Sequence, residues 1–194
     1  MHYLVTGGAG FIGFHLARRL LAEGHTVTII DSVNDYYDPT LKEARLAQLG
    51  DAVTVYRIDI SNQEALQEVF AAHRFDAIAH LAAQAGVRYS LEHPEVYVAS
   101  NYVGTFNLLE LAKQHGIRKL VLASTSSVYG TSTDMPFKES DPAWEPMSIY
   151  AATKRGTEFL AATYSHLYDM DIMCMRFFTV YGPWGRPDMA LFLF

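Results

Sequence analysis

Val5-Thr6-Gly7-Gly8-Ala9-Gly10-Phe11-Ile12-Gly13 is the stretch whose reading decides the fold. It leaves an apolar run, His2–Thr6, that reads as a strand, and opens an amphipathic segment, Phe11–Ala22, that reads as a helix. Glycines stand at positions 7, 10 and 13. A strand that turns at once into a helix needs glycine for its unusual backbone angles and for close approach of another group. The helix start then offers free N–H groups and the positive end of a dipole, a seat for phosphate oxygens. A plain glycine turn would use the same residues. The strand before and the helix after are the setting in which this spacing cradles a dinucleotide.

Outward from that turn, short apolar runs alternate with longer amphipathic segments. Strands are predicted at His2–Thr6, Thr26–Ile30, Val53–Ile58, Ala77–Leu81, Lys119–Ala123 and Asp171–Phe177. Helices are predicted at Phe11–Ala22, Thr40–Leu49, Asn62–Ala72, Pro94–His115 and Pro146–Tyr168. Ser61 with Glu64 reads as a capping box at the third helix start. Gly24 and Gly116 fall where a helix should stop. Strands nearly continuous in Val, Ile and Leu imply a parallel sheet covered on both faces, a doubly wound α/β architecture. Residues 1–177 read as the dinucleotide-binding domain and 178–194 as the start of a further region. The apolar end, Met189-Ala190-Leu191-Phe192-Leu193-Phe194, has nothing after it to cover it, so the chain reads as one cut short. Phe192 and Phe194 are expected to make it prone to associate.

Composition narrows the function classes. The chain has 194 residues, half of them apolar, enough for one sizeable core. A net charge of −6 argues against a nucleic-acid footprint, which needs clustered Lys and Arg. The single cysteine, Cys174, excludes an internal disulfide, and its apolar setting reads as a buried strand. The eight histidines show no metal-ligand spacing, so no metal is expected. No apolar run is long enough to span a membrane, and no basic segment precedes a cleavable apolar stretch; a cytoplasmic location is expected.

Asp31 ends the second strand, where a carboxylate can accept both hydroxyls of an adenosine ribose and repel a 2′-phosphate. NAD is thus expected over NADP, although Lys42 and Arg45 downstream could offset the repulsion and Asp31 could be a simple turn residue. Asp59 is placed to meet the adenine edge or to serve as an ordinary loop aspartate. Ser124-Thr125-Ser126-Ser127 follows the fifth strand, and Tyr150 precedes Lys154 by four residues, one helical face. An ammonium and a cationic nicotinamide beside a phenol favour its phenolate, making Tyr150 a base for a sugar hydroxyl with a nearby hydroxyl to steady the same oxygen.

With these motifs assembled, the chain resembles the extended short-chain dehydrogenase/reductase family across its length. The likeness rests on the glycine turn, His80-Leu81-Ala82-Ala83, Ser126-Ser127-Val128-Tyr129-Gly130 and Tyr150 with Lys154. Within that family it is similar to the UDP-glucuronate 4-epimerases, through Ala83–Ser90 and Arg176–Ala190. The resemblance implies Thr125, Tyr150 and Lys154 as catalytic residues. It implies an NAD pocket of Gly7, Gly10, Phe11, Ile12, Asp31, Asp59, Ile60, Leu81, Ala83, Asn101, Tyr150 and Lys154, and substrate contacts from Arg88, Ser126, Ser127, Thr179 and Arg186. The implied reaction is 4-epimerisation of a UDP-sugar, UDP-glucuronate first, through a transient 4-keto sugar. A uronate decarboxylase or a dehydratase is the nearest rival; a dehydratase would carry an acid beside Thr125, where Ser126 and Ser127 stand. A non-catalytic NAD-binding module is the rival from another class. The family carries a further, smaller domain that grips the nucleotide, so this chain is expected to bind NAD but to turn over poorly. It also implies a homodimer through Pro94–His115 and Pro146–Tyr168. Leu193 departs from the more polar residue expected there.

Overall fold

A computed structural model of the chain describes residues 1–133 and 135–189. In chain order it contains β1 (His2–Thr6), α1 (Phe11–Ala22), β2 (Thr26–Ile30), α2 (Pro39–Leu49), β3 (Val53–Tyr56), α3 (Gln63–Ala72) and β4 (Ala77–His80). Then come α4 (Tyr89–Glu92), α5 (Pro94–Tyr97), a π-helical segment (Val98–Val103) and α6 (Gly104–Gln114). The chain continues through β5 (Lys119–Thr125), α7 (Ile149–Tyr168) and β6 (Asp171–Phe177). The six strands form one parallel sheet in the order β3-β2-β1-β4-β5-β6, the doubly wound arrangement expected.

Successive strand residues point to opposite faces, and the two faces carry separate cores. Leu4, Ile30, Ile78 and Leu120 pack on one side with Leu66 and Phe70 of α3, Leu108 and Leu111 of α6, and Ala161 and Tyr164 of α7. Their neighbours Val5, Ile29 and Ala79 pack on the other side with Phe14 and Ala17 of α1 and Leu46 and Leu49 of α2. Removing a fully buried leucine such as Leu108 would cost about 2–5 kcal/mol.

Several boundaries differ from the expectations for identifiable reasons. The capping box at Ser61 is not formed. Asn62 is the N-cap of α3, its Oδ1 accepting from Ala65 N at 3.1 Å, while Ser61 donates to Asp59. The predicted helix Pro94–His115 holds an internal π segment, and α7 starts at Ile149 because the Ser148 hydroxyl caps it, accepting from Ala151 N at 3.0 Å. β5 runs two residues further than predicted and includes Ser124 and Thr125, because β6 pairs with it as far as Thr125 and Phe177. β3 and β4 stop at Tyr56 and His80. Cys174 is half-buried, since β6 has one neighbour and its alternate side chains Met173 and Met175 are exposed. Gly24 and Gly116 do end their helices, with φ of 79° and 71°. The expectations about Leu191, Phe192, Leu193 and Phe194 lie outside the described residues. Among those described, no helix is long and apolar enough to cross a membrane.

Candidate active site

The strand order reverses between β1 and β4, and loops beyond the carboxyl ends of all six strands gather at that crevice. There they enclose a cleft of about 750 Å³, a size suited to an organic ligand. Every candidate residue named from the sequence lines this cleft except Asn101.

One wall is the glycine turn. Gly7 N donates to Ile30 O at 2.7 Å, locking the end of β1 to β2, and Gly10 N closes the turn on Gly7 O at 3.0 Å. Gly7 has φ 73°, and a Cβ there would stand 2.6 Å from Ala82 N; a Cβ on Gly13 would run into the Gly7 carbonyl. The turn thus leaves a cradle that side chains would fill, with the opening amides of α1 beside it.

At the end of β2, Asp31 Oδ2 accepts from Ala9 N at 3.0 Å and Oδ1 accepts from Val33 N at 2.9 Å. Val33 is held at φ 49°, a conformation costing a β-branched residue about 1–3 kcal/mol. The carboxylate is therefore fixed at the cleft, and each oxygen keeps a further acceptor site for a hydroxyl. Of the two cations that could offset its charge, Lys42 lines the same cleft, and burial lowers its ammonium against the attraction of the Asp31 carboxylate. Neither it nor Arg45 donates a hydrogen bond to Asp31. Lys42 donates to Asn34 O and Oδ1 at 2.7 and 2.6 Å, and the fully buried Arg45 is spent on carbonyls and a phenol. Asp59, at the rim, accepts from the Ser61 amide and hydroxyl.

The facing wall comes from β5 and α7. Thr125 is the last residue of β5, and its Oγ1 accepts from Ser127 N at 3.1 Å while donating to Ser127 Oγ at 3.2 Å. Tyr150 and Lys154 stand one turn apart near the start of α7. Lys154 is 2% exposed; burial pushes its ammonium down to about 8 against the attraction of Cys174 and Glu158. Burial also raises the Tyr150 phenol above its ordinary value, offset in part by the Thr125 hydroxyl and the Arg186 guanidinium. The phenol is thus protonated at neutral pH in this structure, and the cations acting on it include Arg186, where the sequence pointed to Lys154.

Two polar networks stand behind that wall. Glu158 is buried and accepts from Ser124 Oγ at 2.5 Å, from Arg176 Nε and Nη2 at 3.0 Å each, and from Arg155. Burial opposes its charge, yet these donors hold the carboxyl below its usual range. His80 lies between Thr6 Oγ1 (2.7 Å) and Thr105 Oγ1 (2.9 Å), and burial, with Lys154 nearby, pushes it down to about 3, so it is neutral. The Thr105 hydroxyl donates onward to Asn101 O. Asn101 is fully buried, with Oδ1 accepting from Gln84 N at 2.7 Å and Nδ2 donating to Gln84 O at 3.0 Å. It therefore supports the Gln84 backbone from behind the cleft wall.

The remaining candidates sit on loops. Arg88 and Thr179 are exposed, and Ser126 and Ser127 are half-buried. Arg186 pairs with Asp188, whose carboxylate also accepts from Tyr36 Oη at 3.3 Å. Sequence reasoning missed Tyr97, which is fully buried, donates to Ala85 O and Gly86 O at 2.8 and 2.6 Å, and sets its ring 6.0 Å from that of Tyr150. Among the described residues no group of three or more His, Cys, Asp or Glu is placed to hold a metal ion.

A doubly wound parallel sheet with a glycine cradle, a fixed acid after β2 and a Tyr–Lys pair facing both defines an extended short-chain dehydrogenase/reductase. Sequence comparison narrows this: residues 4–190 match the family model described as GDP-mannose 4,6 dehydratase, and the chain belongs to that family. It is 54% identical to a UDP-glucuronate 4-epimerase of Thermodesulfobacterium geofontis, covering 100% of this chain and 60% of that protein. It is 53% identical to a probable UDP-glucuronate 4-epimerase of Rhizobium meliloti, covering 100% of this chain and 58% of the relative. A crystal structure of UDP-glucuronic acid 4-epimerase from Bacillus cereus, in complex with UDP-glucuronic acid and NAD, superposes with a TM-score of 0.86 at 37% identity. That match covers 99% of this chain and 61% of the other. A dTDP-glucose 4,6-dehydratase from Streptomyces venezuelae with NAD bound gives a TM-score of 0.88 at 34% identity. The chain spans about three-fifths of the length of these relatives.

Proposed function

We propose that this chain binds NAD and carries the oxidation–reduction half of a UDP-glucuronate 4-epimerase. The observation that carries the reading is the convergence of Thr125, Tyr150, Lys154 and Arg186 on the cleft that also holds the glycine cradle and Asp31. In this reading Gly7, Gly10, Phe11 and Ile12 receive the diphosphate at the α1 N-terminus. Asp31 accepts the adenosine ribose hydroxyls, Asp59 and Ile60 border the adenine, and Leu81 and Ala83 line the path to the nicotinamide. NAD, when bound, supplies a reversible hydride acceptor and the cationic ring that favours a phenolate nearby. Tyr150 Oη takes the proton of the sugar C4 hydroxyl and later returns one, Thr125 Oγ1 steadies the same oxygen, and Lys154 holds the nicotinamide ribose. Arg88, Ser126, Ser127, Thr179 and Arg186 face the uronate, whose carboxylate suits a guanidinium.

The identities above 50% to UDP-glucuronate 4-epimerases support this sugar. Ser126 and Ser127 beside Thr125 leave no acid to expel a C6 hydroxyl, which weighs against a dehydratase. The reading includes 1–177 as the NAD domain with 178–194 opening the substrate region, a homodimer in the whole protein and a cytoplasmic setting. The test titrates NAD into the chain by calorimetry, then adds UDP-glucuronate or UDP-glucose and follows reduced nicotinamide in a single turnover. Reduction with the uronate that is lost in Tyr150→Phe supports the reading. Absence of NAD binding, or equal reduction by Tyr150→Phe, overturns it.

A further inference from the structure

Arg45 is fully buried, yet among the described residues it makes no salt bridge. Its guanidinium is spent entirely on neutral oxygens. Nη1 donates to Ala9 O at 3.0 Å and to Tyr37 Oη at 2.7 Å. Nε and Nη2 both donate to Trp184 O, at 3.2 and 2.8 Å, and Nη2 also reaches Gly185 O at 3.2 Å. A charge buried without a counter-ion is costly, and a neutral side chain would suffice if filling space were all the position required. What guanidinium offers is a rigid planar fork able to hold two backbone segments at once.

The two segments are far apart in the chain and adjacent in the fold. Ala9 lies inside the glycine turn, and its peptide is gripped at both ends: Asp31 takes its N–H at 3.0 Å and Arg45 its carbonyl. Trp184 and Gly185 lie beyond β6, immediately before Arg186. That loop is held in a demanding shape. Trp184 has φ 62°, rare for a bulky residue, and its indole packs against Phe14 with ring centroids 6.1 Å apart. His15 Nε2 meets the preceding carbonyl, Pro183 O, at 2.8 Å. Three consecutive carbonyls, 183 to 185, are thus fastened to α1 and α2, and Arg45 alone also grasps the glycine turn.

We propose that Arg45 is a positioning residue that couples occupancy of the glycine turn to the placement of the Trp184–Arg186 loop, and through it to the hold of the cleft on the sugar nucleotide. The coupling to the sugar rests on the proposed function; the coupling to the loop rests on the hydrogen bonds alone. A diphosphate settling on the turn fixes the Ala9 peptide, the fixed carbonyl orders the guanidinium, and the ordered guanidinium holds Trp184 O and Gly185 O. Arg186 is then presented to the cleft in one position, so that the cofactor and the acidic sugar strengthen each other's binding reciprocally.

Backbone hydrogen exchange reads this directly, because Gly185 N closes a turn on Gly182 O at 3.1 Å and exchanges when the loop opens. Exchange over residues 182–189 is measured with and without saturating NAD in the unmodified chain, Arg45→Met, Arg45→Lys and Tyr37→Phe. The expected result is slowing of about 5-fold or more on adding NAD in the unmodified chain and in Tyr37→Phe, which keeps both backbone links. Both Arg45 variants are expected to lose the slowing at NAD concentrations that still saturate them. Exchange in β1 and β4 reports whether each variant is folded; if Arg45→Met is not, Arg45→Lys carries the test, since one ammonium cannot span both carbonyl groups. Loop protection that persists in the folded Arg45 variants overturns the proposal, as does an unmodified chain whose loop ignores NAD. UDP-glucuronate affinity, measured with and without NAD, is the second arm. An unmodified chain that shows the loop response but takes no UDP-glucuronate refutes the substrate reading and leaves the Arg45 coupling standing.

Discussion

Replacing Lys154 by methionine is expected to stabilise the fold while weakening the hold on NAD. The ammonium is 2% exposed, and burial displaces it from an ordinary 10.5 to about 8. At about 1.4 kcal/mol per pH unit of displacement, carrying that charge into the folded state costs on the order of 3 kcal/mol at pH 7. The sign follows from proton binding: between pH 8 and 10.5 the unfolded chain keeps the Lys154 proton and the folded chain releases it. This group's contribution to stability therefore rises with pH across that window. The penalty is complete below about pH 8 and absent above about 10.5. Methionine, similar in length and uncharged, should gain about 1–3 kcal/mol at pH 7, part of the penalty being lost to imperfect packing. The gain should shrink as the pH approaches 10. Urea unfolding of both chains at several pH values, with NAD calorimetry alongside, measures it. A Lys154→Met chain no more stable at pH 7, or a gain that does not change with pH, would refute the argument that burial of this ammonium is unfavourable. Such a trade of stability for function is common at binding sites.

Asp31→Asn should narrow the preference for NAD over NADP by about tenfold or more, on the order of 1.4 kcal/mol, because repulsion of a 2′-phosphate is relieved while an amide oxygen remains; calorimetry with both cofactors checks it, and equal affinity in the unmodified chain would contradict it. Arg186→Ala should weaken UDP-glucuronate more than UDP-glucose, by up to about 2–5 kcal/mol for a desolvated pair, less whatever Asp188 already claims of the guanidinium. Glu158→Gln should destabilise by about 3–5 kcal/mol, since it strands Arg155 and Arg176 beside a half-satisfied network, read as a lowered urea midpoint. Gly13→Ala should abolish NAD binding, because its Cβ would collide with the Gly7 carbonyl; retention of affinity within a few fold would show that the turn yields.

The parallel sheet was legible because each strand is a short apolar run and each helix is periodic, and those are consequences of burial that a sequence displays directly. The cleft was legible through residues whose type is constrained by geometry: glycines where a Cβ collides, Asp31 at a strand end, and Tyr150 and Lys154 one turn apart. Ser61 was misjudged because two adjacent polar residues could each cap α3, and Asp59 beside the turn claimed the serine while Asn62 took the helix. Asn101 matched the cofactor pocket in type and position, yet its amide is consumed by the Gln84 backbone, a pairing seventeen residues distant that no local pattern encodes. Arg45 did leave a trace. Lys42, Arg45, Leu46 and Leu49 recur at the spacing of a buried helical stripe, and all four are buried in α2. Two cations on an apolar stripe conflict with the pattern around them, and such conflict is expected where a site requires something other than packing. The backbone partners Ala9 and Trp184 of Arg45 lie 36 and 139 residues away in the chain. The sequence can therefore mark that a buried cation is present, but only the folded chain reveals that it bridges the glycine turn and the loop before Arg186.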